Sequence, residues 1–478
     1  MSYVLAVDIG SSSFRISAVD FNGVTFKRAQ VPFLSEQVSL GTVDFDALKL
    51  CQNVISLANE FAKEVGRPAL ISITNQRATT VIWEKSNSLP ITNALGWQDL
   101  RNLSICLELK AQGISIMPNA SATKIRWILN QVDPKITKNL RFGTLDSYLI
   151  WLLTSGKLHV TDPSNAGATA LLNSEGNGWN QELLQILEIP VEIMPEIVPS
   201  TQIISEDCIV SKNTKVGGIL GDQQASMFGQ GVTAPGLAKA TFGTGGMCDT
   251  VTKDLKFSQQ GPNGTFPIVA FSTSQDIKFG LEAMALSAGS VLNWLKDDLN
   301  LITAFHEVDY LAKNSNSQED LFFVPALFGL GSPYWDFGAR ASFVGLNASC
   351  TKADLVRAVL EGVAHTGADL IDALEKDAQI NISEIRVDGG MSQSDYFLQA
   401  LADCSQKKVC ASADKEATTI GIAALGLVAL KQWDLSDVVS KYQPRQVFVP
   451  QRKIDRSKWF DAVNKARGVI PELSELKF

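Results

Sequence analysis

The chain is poor in the residue types that mark several common classes of protein. Its 478 residues include only three histidines, His159, His306 and His365, and none stands in a metal-ligand pattern. Seven cysteines, at 51, 106, 208, 248, 350, 404 and 410, form no CxxC pair. That scatter reads as reduced, mostly buried thiols and excludes a disulfide framework. No basic block stands out, and 42 basic residues face 50 acidic ones for a net charge of −8. Sequence-independent binding to a nucleic-acid backbone is therefore disfavoured. The longest weakly polar run, Thr418 to Leu430, is about half the length of a bilayer span. The opening Met-Ser-Tyr-Val-Leu-Ala-Val-Asp has no basic leader, and Asp8 ends its apolar stretch. It reads as a first strand, not a signal peptide. These absences predict a cytoplasmic protein with neither a membrane nor a nucleic-acid partner.

What is present is a well-packed globular composition, 45% apolar and 19% charged. The length exceeds one hydrophobic core and predicts two domains of roughly 200–250 residues. Tyr3 to Asp8 predicts a strand closed by Ile9-Gly10-Ser11-Ser12-Ser13. Phe14 to Asp20 alternates as a second strand, and a third follows the Asn22-Gly23 turn. Phe45 to Val65 has helical spacing, and Ala69 to Thr74 reads as a buried strand. Strands and helices alternate from there, which predicts an α/β fold. A strand running into a small-residue turn returns at Gly236–Gly246, with Met247–Val251 as the returning strand. Two related halves facing one another follow from that recurrence. Thr233-Ala-Pro-Gly236 breaks periodicity, so the domains are set at 1–232 and 233–478.

Three segments carry phosphate chemistry in their residue types. Asp8-x-Gly-Ser-Ser-Ser-x-Arg15 offers a carboxylate, turn amides, hydroxyls and a guanidinium, a set suited to a phosphate and its hydrated Mg²⁺. The alternative is an ordinary hairpin turn. Thr241-Phe-Gly-Thr-Gly-Gly246 presents amides and hydroxyls to a second phosphate, or else marks a close strand crossing. Asp388-Gly-Gly-Met-Ser392 lets a base or phosphate lie against the backbone, or else caps a helix. Asp222, just after the apolar Val216–Leu220, either caps a helix or projects into a cleft to accept a hydroxyl proton.

The motifs Asp8-x-Gly10, Thr74-Asn-Gln-Arg77, Trp97-Gln-Asp-x-Arg101, Gly221-Asp-Gln-Gln224, Gly243-Thr-Gly245, Phe323 to Asp336 and Val387-Asp-Gly-Gly390 stand in this order. Together they resemble the FGGY carbohydrate kinases, and within them the glycerol kinases and glycerol-kinase-like proteins. The resemblance runs to about residue 430. It implies two RNase-H-like domains of the actin/hexokinase/Hsp70 superfold, with the active site in the cleft between them. It also implies ATP- and Mg²⁺-dependent phosphorylation of a small polyol or sugar by a homo-oligomer, a dimer or tetramer. Asp222 falls on the family's general base, and Asp8 on the residue that organises Mg²⁺ through water, with Asp222 as a further candidate metal contact. Ser11, Ser12 and Arg15 fall in the first phosphate loop, Gly243 and Thr244 in the second. Gly289, Asn293, Gly390 and Met391 fall where the family contacts the nucleotide. Arg77, Trp97, Asp222 and Gln223 fall on the acceptor site.

Three positions depart from the glycerol-kinase pattern. Ala78 replaces an acid after the arginine, Asn119 stands where a tyrosine is expected, and Met247 replaces an aromatic. Each change removes bulk or a hydrogen-bonding partner from the acceptor pocket. One expectation is glycerol, bound less tightly. A second is a larger tetritol, pentitol or ketose that fills the space. A third is an ATP-binding regulatory protein with weak catalysis; loss of Asp8 or Asp222 would be its signature, and both are present. His365 in an apolar helix predicts a core position. Asp99 and Arg101 read either as substrate contacts or as a structural ion pair.

Overall fold

A computed structural model describes residues 2–33, 41–253, 260–316, 320–413 and 416–476. The N-terminal half begins with β1 (Tyr3–Ile9), β2 (Ser13–Asp20) and β3 (Thr25–Pro32). β1 is buried along its whole length, as a central strand requires. Next comes α1 (Ala47–Val65), whose start is set by Asp46: its carboxylate accepts from the Lys49 amide. Phe45, expected inside this helix, lies before that cap in a short strand. β4 (Leu70–Asn75), β5 (Ile203–Ser205) and β6 (Lys215–Gly221) complete a six-stranded sheet of order β5-β6-β4-β1-β2-β3. β1, β2 and β3 form an antiparallel meander, and β4 and β6 extend it in parallel.

The same plan recurs after the short helix α2 (Asp222–Gly229). β7 (Leu237–Phe242), β8 (Gly246–Val251), β9 (Phe266–Ser272) and β10 (Ile277–Ala285) are joined as antiparallel neighbours. After α3 (Lys352–Ala378), β11 (Glu384–Asp388) pairs parallel to β7. α4 (Asp395–Ser405), β12 (Lys408–Ser412), α5 (Ala417–Ala429) and β13 (Pro444–Phe448) follow. The second sheet has the order β9-β10-β8-β7-β11-β12-β13. The β1–β2 turn and the β7–β8 turn therefore occupy matching places in two related sheets, as the recurrence of strand and glycine turn predicts.

The halves are not joined only by a linker. α5, late in the chain, packs on β1, β4 and β6 of the first sheet and crosses α2. The crossing is close: a methyl group on Gly421 would stand 1.7 Å from the Ala225 carbonyl oxygen. A single apolar cluster, including Ala6, Leu220, Phe228, Phe271, Ile422 and Leu425, spans both halves. The helix is wedged against α2 and the first sheet, with its first turn at Asp8. His365 is buried and stacked on Trp459. Among the described residues no helix is long and apolar enough to cross a membrane.

Candidate active site

The β1–β2 turn is a tight hairpin in which the Gly10 amide donates to the Ser13 carbonyl at 3.0 Å. Asp8 and Arg15 face each other across the two strands, and Arg15 Nη1 donates to Asp8 Oδ2 at 3.2 Å. The first turn of α5 closes this end: Thr419 Oγ1 donates to the same Asp8 oxygen at 3.1 Å, and Arg15 Nε pairs with Glu416 at 2.9 Å. Asp8 is fully enclosed, and burial lifts its carboxyl to about 6, with Arg15 opposing and the nearby Asp222 charge reinforcing the rise. Ser11 and Ser12 remain exposed on the turn. Trp97 Nε1 donates to Ser11 Oγ at 3.2 Å, which attaches an expected acceptor wall to the β1–β2 turn.

Asp222 is the first residue of α2, after the strand residue Gly221. It does not cap the helix through its side chain; Oδ1 accepts from the adjacent Gln223 amide at 2.8 Å. Arg77, at the end of β4, lies 3.5 Å from the same oxygen. Burial raises the Asp222 carboxyl above the ordinary carboxylate range, although Arg77, the Gln223 amide and Lys239 pull the other way. Arg77 also donates to Glu282 of β10 at 2.7 Å, a bridge between the two halves. Gln223 makes a second bridge, since its side-chain oxygen accepts from Lys239 of β7. Lys239 pairs at 3.0 Å with Asp249 of β8.

The turn between β7 and β8, expected as the second phosphate loop, is held from below. The Gly289 amide donates to the Gly243 carbonyl at 2.7 Å, and the Ala288 and Ser290 amides donate to the Thr244 carbonyl at 2.9 and 3.1 Å. Met391 stands 3.8 Å from where a Gly289 side chain would begin. Gly243, Thr244, Gly289 and Met391 are thus gathered together. Gly390 and Asn293 are exposed beside them, Asn293 on the helical turn that Gly289 begins. Asp388 is not a helix cap: it accepts from Ser226 at 2.6 Å, from Gln230 at 3.1 Å and from Thr241, and Ser394 caps α4.

Ala78 is buried, with its carbonyl accepting from Ser121 at 3.2 Å. Lys124, fully buried, donates to the carbonyls of Gly96 at 2.7 Å, Trp97 at 3.1 Å and Asn119 at 3.0 Å. One ammonium so ties two expected acceptor positions together, and burial brings its pKa down to about 7. Met247 projects from β8 on the same strand face as Asp249, away from the core that takes Cys248. Arg101 chelates Asp99 and pairs with Asp44, so those residues form a structural ion pair. A cavity of about 600 Å³, lined by Gln202, Ser274 and Lys431 among others, contains none of the expected site residues.

The motif reading did not include Lys239, Asp249, Glu282, Lys124, Glu416 or Thr419. The first three are charges in the middle of otherwise apolar strands, and such charges are buried only when paired. That pattern is visible in the sequence; their partners are not.

Two glycine-containing turns at matching places, with a carboxylate at a helix start between them in sequence, accord with the family comparison. Residues 3–229 match the N-terminal domain of the FGGY family of carbohydrate kinases, and residues 238–430 match its C-terminal domain. The chain belongs to that family. Glycerol kinase of Natranaerobius thermophilus is 36% identical, over 98% of this chain and 99% of that one. Glycerol kinase of Pediococcus pentosaceus is also 36% identical, with 97% of each chain covered. Among solved structures, Plasmodium falciparum glycerol kinase with ADP superposes with a TM-score of 0.91 at 28% identity, covering 98% of both chains. Gluconate kinase of Lactobacillus acidophilus, at 23% identity and a TM-score of 0.85, shares the fold. This carbohydrate kinase accordingly has the two-domain, actin/hexokinase-like FGGY fold.

Proposed function

We propose that this kinase transfers the γ-phosphoryl group of Mg·ATP to a terminal hydroxyl of a small polyol, glycerol first among them, with Asp222 as general base. The observation that carries the reading is the placement of Asp222. It is a half-buried carboxylate of raised proton affinity, at a helix start, beside Arg77 and within electrostatic reach of Asp8. A base so tuned takes the acceptor proton more readily while ionised. The acceptor O–H bond breaks, its proton passes to Asp222, and its oxygen bonds to the γ-phosphorus as the bond to the ADP oxygen breaks. Phosphoryl transfer is mostly positioning and charge stabilisation, so amide cradles and one carboxylate suffice.

Ser11, Ser12 and Arg15 would face one part of the triphosphate, Gly243 and Thr244 another, and Gly289, Asn293, Gly390 and Met391 the nucleoside. Mg²⁺ keeps most of its water and takes one or two carboxylates, which fits Asp8 and Asp222, the second close enough for its charge to raise the proton affinity of the first. When bound, the ion neutralises charge on the transferring phosphate. Arg77, Trp97 and Gln223 would hold the acceptor, with Ala78, Asn119 and Met247 as its remaining walls. The small side chains there favour a second reading for the same chemistry, a tetritol, pentitol or ketose. Domains 1–232 and 233–478 would close over both substrates and exclude water.

The test is ADP release with Mg·ATP against glycerol, dihydroxyacetone, erythritol, ribitol, D-xylulose, D- and L-ribulose and no acceptor. Preference for glycerol supports the first reading and preference for a longer acceptor the second. No turnover with tight ATP binding would replace both with a regulatory role. Asp222→Asn is expected to lower transfer by more than about a thousandfold while ATP still binds. Near-normal turnover in that variant would remove the base assignment.

A further inference from the structure

Lys239 lies in the middle of β7 and is fully buried. Its neighbours Ala238 and Ala240 face the core of the C-terminal half, so the lysine projects from the opposite face of the sheet. Directly across the strands stand Asp249 and then Glu282, a row of three charges in register. Enclosing an ammonium costs several kcal/mol unless it is paired, and Asp249 supplies the pair at 3.0 Å. Two apolar side chains would fill the sheet at least as well. What they could not supply is the third contact, in which the ammonium donates to the side-chain oxygen of Gln223 on the other half of the molecule.

That contact settles which way the Gln223 amide points. An ammonium only donates, so the amide end facing it is the carbonyl oxygen. The two N–H donors are then turned away from Lys239, and no protein group among the described residues accepts from them. The amide follows directly on Asp222 and stands in the neighbourhood bridged by Arg77 and Glu282.

The geometry points to Lys239, held by Asp249, as a positioning residue for the acceptor: it reaches across the cleft and locks the Gln223 amide with its N–H donors toward the substrate oxygen. This deepens the proposed function and rests on its placement of Gln223 at the acceptor. Because Lys239 and Gln223 come from different halves, the lock exists only when the halves are together. The acceptor site so takes one group from each half, as the Asp8 site does through Thr419.

The test is a double-mutant cycle read on acceptor KM, with ATP Kd as the control. Lys239→Met is combined with Asp249→Leu, so that no buried charge is left unpaired and the sheet still packs. The acceptor is glycerol or, failing it, the panel member turned over fastest. The Lys239→Met/Asp249→Leu protein is expected to raise acceptor KM by about tenfold and to leave ATP Kd within about twofold. Gln223→Met should raise KM comparably, and the combination should add nothing further, because the lysine acts through the amide. A multiplicative effect of the two changes, or equal losses in ATP and acceptor binding, would overturn the positioning role alone. An unchanged KM in Gln223→Met would overturn the acceptor placement and this inference with it.

Discussion

Ala78 holds its backbone at φ +59°, a region that residues with a Cβ seldom occupy. The turn there sends the chain from Arg77 into the wall capped by Ser121. Any residue with a side chain meets the same backbone cost, so position 78 can be exchanged to read its chemistry. Ala78→Glu is expected to raise kcat/KM for glycerol relative to ribitol by about tenfold, as one hydrogen-bonding partner is restored. An unchanged ratio would mean that residue 78 does not face the acceptor. Asp146 bears on stability instead. It is fully buried, accepts from the Thr144 and Thr161 hydroxyls, and burial lifts it from 3.8 to about 7. The folded state therefore holds a proton that the unfolded chain releases, so this contribution is whole below about pH 4 and lost as pH rises through 7. Urea unfolding between pH 5 and 8 should show that decline, and Asp146→Asn should flatten it. Candidate site residues could be named from motif order and the family resemblance it carries. Their partners could not, because a lysine in a strand does not announce which acid lies across the sheet.

Among the elements, α5 shows most plainly what local residue chemistry does and does not specify. Its run of small residues, Gly421-Ile-Ala-Ala-Leu-Gly426, signals close packing, and close packing is found. The surface it packs on was not legible, since small residues fit any near backbone. Gly421 lies against the Ala225 carbonyl and Gly426 against Ser72 and Val4, so the helix is wedged between α2 and the first sheet. Gly421→Ala is expected to cost about 1–3 kcal/mol by overpacking, measured by urea unfolding. It should also weaken ATP binding, because Thr419 at the same helix start touches Asp8. Full stability in that variant would show that the two helices separate freely. The strands were more readable: β1, β2, β7 and β8 fall within a residue or two of the expected spans, since alternation and glycine turns mark them locally.

The whole molecule is stitched by chain segments far apart in sequence. The apolar cluster around Phe228 and Ile422 belongs to both halves, and α5 covers the face of β1, β4 and β6. A chain cut after residue 232 would lose that cover and expose the apolar residues beneath. Residues 1–232 expressed alone are therefore expected to show no cooperative unfolding transition, whereas the full chain shows one. A cooperatively folding fragment would establish that the N-terminal half carries its own complete core.

The order of motifs, the α/β alternation and the duplicated strand–turn–strand plan were determined by the sequence alone, because each is a local consequence of side-chain period, glycine turns and residue chemistry. The tertiary structure decided which groups far apart in sequence meet. Thr419 reaches Asp8 over 411 positions, Arg77 reaches Glu282 over 205, and Lys239 reaches Gln223 from another sheet. A buried charge must find an opposite charge or a dipole, but its own neighbours in sequence do not say where that partner comes from. Only the folding of two sheets onto one pair of crossed helices brings those groups to the same place.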